Sequence, residues 1–270
     1  MNIFPPPDFP TAFFITAAVI FGSMLGSFFN VVIYRMPRGE SIVLPASRCP
    51  SCGYKIRPWE NFPVLAWIML RGRCSQCRVP ISIQYPLVEA ACGAWAGLLA
   101  WDMSRNPIPI GSALVLFYFG LCAVPITIID LRHYLIPDAL TLTGLVFAVA
   151  TSFLPGGLTP WESLGGMVIS GVSLWALGTI MGKVLKKDAM GFGDVKLLAL
   201  MGACFGWQTS MLALGAASVL GSLAGIPWLF LRGKNPERHI PFGPFLCLGA
   251  LLANRFGHSV LEWYWVNGPG

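Results

Sequence analysis

The chain has 270 residues, 55% of them hydrophobic and only 11% charged, with a formal net charge of +6. A soluble domain carries about 25% charged residues. So little charge, with apolar runs of about 20 residues, excludes an ordinary soluble globule and predicts an all-α polytopic membrane protein.

In chain order, the first apolar run covers 11–33. The preceding "MNIFPPPDFP" lacks the basic n-region of a cleaved signal peptide, so this run is expected to stay as a transmembrane helix. Residues 34–83 form the largest polar segment. Within it, Cys49 and Cys52 make one C-x-x-C pair and Cys74 and Cys77 another, with 21 residues between. Two such knuckles supply four thiolates in a tetrahedron, the closed set of a structural zinc site with no open position for chemistry. Gly53 and the "RGR" around Gly72 allow tight turns there. Disulfides are the alternative, disfavoured if the loop faces the reducing side.

Further spans are predicted at 84–101, 110–130, 136–154, 161–182, 194–206, 209–231 and 241–257, about eight in all, the sixth being short. With the 34–83 loop cytoplasmic, alternation puts sixteen of the eighteen Lys and Arg on that side and only Arg105 and Arg255 on the other. The basic excess is thereby topological, and no nucleic-acid partner is expected. The expected organisation is 1–33 as a first transmembrane helix, 34–83 as a cytoplasmic tetracysteine domain and 84–270 as a transmembrane domain. Cys92, Cys122, Cys204 and Cys247 stand singly in apolar spans and read as small buried hydrophobes. His133, His239 and His258 share no ligand spacing. Trp101 and the tail "EWYW" read as interfacial aromatics.

Asp130 closes the third span and Asp194 opens the sixth, 64 residues later, at the same membrane face. Ionisable residues in spans face a protein interior or a water-filled cavity. Two adjacent aspartates do not both ionise readily, so one can activate water while the other donates a proton, without metal or covalent intermediate. Gly191 and Gly193, just before Asp194, let a substrate backbone come close. Asp194 as a mere helix cap is the competing reading. Asp138, after Pro137, fits a first helical turn better. A proton-coupled transporter and a non-catalytic scaffold are the other function classes. The transporter would place its acids nearer the midplane and show internal repeats.

The motifs resemble those of the type IV prepilin peptidases, membrane aspartic proteases. The stretches that carry the resemblance are "GSFFNVVIYRMP", "SRCPSCG", "ENFPVLAWIMLRGRCSQC", "QYPLVE", "IDLRHYLIPD", "GFGDVKLLA" and "PFGPFL", from Gly26 to Leu246. The resemblance implies that Asp130 and Asp194 are catalytic, and that the substrates are prepilins and pseudopilins with a short basic leader cut at the cytoplasmic face. It also implies residence in the bacterial inner membrane. Relatives with the cysteine-rich loop commonly methylate the new N-terminus using S-adenosylmethionine, so both activities are expected here, with Zn2+ in the loop. There is no Rossmann-type G-x-G-x-x-G for the methyl donor. Gly72 and Arg73 are the candidates for that site, against the alternative that they only shape the metal turn.

Overall fold

The computed structural model describes residues 10–186, 190–232 and 241–267. The segment 1–9, Lys187, Lys234, Arg238 and His239 of the sequence reading lie outside these residues. Among the described residues the regular structure is helical: α1 (Thr11–Arg35), a short α2 (Leu65–Met69), α3 (Gln84–Arg105), α4 (Ile110–His133), α5 (Asp138–Thr151), α6 (Pro160–Leu185), α7 (Phe192–Arg232) and α8 (Gly243–Asn267). Extended pairing among the described residues is limited to two isolated bridges, Arg48 with Lys55 and Arg73 with Pro80.

Among the described residues, four helices are long and apolar enough to cross a membrane: Thr11–Arg38, Ile110–His133, Pro160–Leu185 and Phe192–Gly225. The expected sixth and seventh spans run into one another as α7, broken at Gly206, whose φ of 82° and ψ of 162° are non-helical. Only glycine takes that conformation at no steric cost. Helix starts follow local chemistry. Thr159 caps α6 by accepting the Glu162 N–H, while Glu162 accepts the Thr159 N–H at 2.8 Å, with Pro160 at the first helical position. Pro137 stands at the N-cap position of α5 and Asp138 lies in its first turn, as expected.

The chain divides into two compact units. The first comprises Met1–Pro109 with Leu116–Pro125. In it α1 and α3 lie antiparallel and close, since a Cβ on Gly26 would stand 2.7 Å from the Glu89 Cα. Cys92 and Cys122 are buried here, as the sequence led us to expect. The second unit comprises Ile110–Val115 with Ile126–Gly270. There α6 packs on α7 with Gly166 and Gly202 back to back, so that a Cβ on either would overlap the other's carbonyl. Small residues that let backbones meet are how helices associate in lipid, where apolar burial gives no drive. Ser163 donates to the Ala203 carbonyl at 2.9 Å and Ser170 pairs with Ser210, keeping buried hydroxyls satisfied. Leu197, Leu198, Leu200 and Met201 of α7 are fully buried, and Cys204 and Cys247 are buried with them.

Candidate active site

Asp130 lies in the last turn of α4 and is 5% exposed. Its Oδ2 accepts the backbone N–H of Gly243 at 2.9 Å, at the start of α8. A Cβ on Gly243 would stand 2.7 Å from that oxygen, so the bond needs glycine. Asp194 is the third residue of α7, half-buried, with its N–H donated to the Gly191 carbonyl.

Ile136, from the connector between α4 and α5, joins the two halves. Its side chain is 3.1 Å from where a Gly193 Cβ would be and 3.3 Å from where a Gly243 Cβ would be. Gly193 is thus a packing position beneath Ile136, whereas a Cβ on Gly191 would meet only the Asp194 carboxylate, at an ordinary 3.5 Å. Gly191 itself is exposed. Beside the pair, Lys196 of α7 binds Asp138 of α5 at 2.6 Å. Asp138 is thereby tied to a partner. Sequence alone assigns no role to Gly243 or Ile136. Their signal was available in "PFGPFL" and "LIPD", but local patterns do not show a contact made across 113 residues.

In the first unit the two knuckles bring Cys49, Cys52, Cys74 and Cys77 together, all four sulfurs lying within 4.8 Å of one another. Cys49 and Cys77 are 3.7 Å apart. A tetrahedron with metal–sulfur bonds of about 2.3 Å has edges of about 3.8 Å, so this geometry suits a metal ion of that class. The Cys52 and Ser51 N–H groups point at Cys49 and hold its thiol down to about 7, favouring the thiolate a metal needs. Turns with positive φ at Gly53 and Gly72, and at Arg71 and Arg78, shape the knuckles.

Glu60 is a clasp that the sequence did not reveal. It accepts the Arg57 N–H at 3.1 Å and the Tyr54 hydroxyl at 3.0 Å. With the Arg57 N–H, the Ser75 hydroxyl and Tyr54 as donors, its carboxyl is held below the usual range. Tyr54 belongs to the first knuckle and Ser75 to the second. Gly72 is buried beneath the Trp67 indole, 2.8 Å from where its Cβ would be, and Trp67 donates to the Ile81 carbonyl at 3.1 Å. Arg73 beside it is exposed.

Helices fit to cross a membrane, one buried and one half-buried carboxylate at helix ends and a separate four-thiol cluster are the features of a helical membrane protein. Residues 20–103 match the bacterial peptidase A24 N-terminal domain, and residues 114–226 match the type IV leader peptidase family. Three similar proteins each carry the name prepilin leader peptidase/N-methyltransferase. That of Pseudomonas putida is 36% identical, the alignment covering 92% of this chain and 93% of the relative. Those of Stutzerimonas stutzeri and Pseudomonas aeruginosa are 34% and 33% identical, each covering 93% of both chains. The chain belongs to the type IV leader peptidase family. No solved structure matches it.

Proposed function

We propose that this chain is a membrane aspartic endopeptidase that removes the basic leader of type IV prepilins and type II secretion pseudopilins. It works at the cytoplasmic face of the bacterial inner membrane and then N-methylates the new N-terminal residue. What supports the peptidase reading is that Ile136 packs against both Gly193, beside Asp194, and Gly243, whose N–H fixes the orientation of Asp130. In this reading one carboxylate takes a proton from the attacking water while the other gives a proton to the scissile carbonyl oxygen. Collapse of the tetrahedral intermediate releases the leader as a carboxylate and the pilin as an amine. No metal enters that step.

The orientation follows from the basic residues: the 34–83 loop, the end of α6, and the ends of α4 and α7 that carry Asp130 and Asp194 are assigned to the cytoplasmic side. Eight crossings are proposed, with α7 counted twice about Gly206. The thiol cluster holds structural zinc through Cys49, Cys52, Cys74 and Cys77. S-adenosylmethionine supplies an electrophilic methyl group to the neutral amine. Arg73, exposed beside the second knuckle, is the residue offered to that donor, and Gly72 shapes the turn beneath Trp67.

The test uses purified protein in lipid with a matched prepilin, with and without S-adenosylmethionine, read by mass spectrometry. Loss of the leader in both, and one added methyl mass only with the donor, is expected. An intact prepilin beside folded enzyme contradicts the peptidase reading. Cleavage without methylation contradicts the second activity alone.

A further inference from the structure

The 34–83 loop carries apolar side chains on its outside. Trp59 and Phe62 are exposed, and in α2 so are Leu65, Ile68 and Met69, the last at 81%. The inward side of α2 is Ala66, with Trp67 folded over Gly72. A helix in water presents the opposite pattern, and a run of large apolar groups facing outward marks an interaction surface.

Depth identifies what that surface meets. The Val64 N–H, at the start of α2, donates to Glu89 Oε2 at 2.7 Å, and Glu89 is 7% exposed. Glu89 is in the second turn of α3, and its Cα packs at the level of Gly26 on α1. Nine residues separate Gly26 from Arg35 at the end of α1, about 13 Å along the axis at 1.5 Å per residue. A helical side chain leans toward its helix N-terminus, here the loop end, and recovers only part of that distance. The start of α2 therefore lies below the end of a membrane-crossing helix, in the zone where interfacial helices bury an apolar face about 5–10 Å deep. Charge agrees, because the loop has eight Lys and Arg against Glu40 and Glu60. Arg57, Arg71 and Arg73 are exposed around the apolar run, as lipid headgroup phosphates favour.

We infer that residues 58–69 form an interfacial element, tethered by Glu89, whose Trp59, Phe62, Leu65, Ile68 and Met69 side chains dip into the phospholipid surface. The inference rests on the reading of α1 and α3 as crossing the bilayer. It seats the second knuckle on the membrane surface.

The full chain is placed in vesicles of phosphatidylcholine and phosphatidylglycerol in equal parts, with a photoreactive benzophenone side chain in place of Ile68, of Lys55 or of Leu87. Lys55 is exposed on the first knuckle, and Leu87 is exposed on α3. Phospholipid adducts are expected at 68 and 87 and not at 55. Adding Glu89→Ala should lower the yield at 68 several-fold and leave that at 87 unchanged. Equal yields at 68 and 55, adducts at 68 to protein alone, or indifference of position 68 to Glu89→Ala would each overturn the inference. Failure at 87 overturns the crossing reading on which it rests, and cleavage assays are untouched by any of these outcomes.

Discussion

One hydrogen bond, from the Gly243 N–H to Asp130, fixes the orientation of a group on which the proposed chemistry depends. Gly243→Ala places a methyl 2.7 Å from that oxygen, backed by Ile136, so the carboxylate must move. Misplacement of about 1 Å can cost roughly 100-fold in rate. Gly243→Ala is expected to lose cleavage on that scale while the protein still inserts and folds, as measured by initial rates on a prepilin. Gly191→Ala meets its nearest side-chain atom at 3.5 Å and is expected to keep far more activity. Cleavage by a pair that must hold one proton should follow a bell-shaped pH profile, falling when the pair is fully protonated and when it is fully ionised. Asp130 and Asp194 stand out in the sequence because an acid at the end of an apolar span is rare and costly, and their proposed catalytic role comes from the family resemblance. Gly243 and Ile136 were not, because their reasons are contacts and not patterns.

Among the elements, the thiol cluster and the break in α7 make separable claims. Protons compete with a metal for the four thiolates, so metal content should fall as pH falls, and Cys49→Ser should release the metal. Metal analysis of the purified protein checks both. Methylation should go with the metal, and cleavage should survive in large part. Glu60 acts by a different route. Its carboxyl is held below the usual range in the folded loop, so the stability it adds is present above that range and is lost as pH falls through the folded value. Glu60→Gln should loosen both knuckles, seen as faster hydrogen exchange at 47–56 and 72–81. In α7 a Cβ at Gly206 would touch only Leu158, at 3.8 Å, so backbone strain and not a clash sets the cost of Gly206→Ala. That conformation costs a non-glycine residue about 1–3 kcal/mol, and thermal unfolding in detergent is expected to show the loss. The sequence placed the end of one span at 206 and the start of the next at 209. It did not show that helix resumes at once, because a single glycine turn leaves no trace in hydropathy.

At the scale of the molecule, composition specified a helical membrane protein, and the C-x-x-C spacing located the thiol cluster. The proposed sidedness can be read directly. A membrane-impermeant amine reagent applied to right-side-out vesicles should leave Lys55 and Lys196 unmodified, and label both once the vesicles are opened; labelling before opening contradicts a cytoplasmic loop. Helix pairing within each unit was less legible, because Gly166, Gly202 and Gly26 contribute by lacking a side chain and leave no hydrophobic period to follow. The central claim is that Asp130 and Asp194 act as one catalytic pair. The most direct measurement is leader removal by wild type, Asp130→Asn and Asp194→Asn, each reconstituted in lipid, shown to be folded and assayed by mass spectrometry on one prepilin. General acid–base groups contribute roughly 10²–10⁴-fold, so each variant, and the double variant alike, should fall by at least about 100-fold. Cleavage near the wild-type rate in either single variant would remove that aspartate from the chemistry and leave it a helix-end acid.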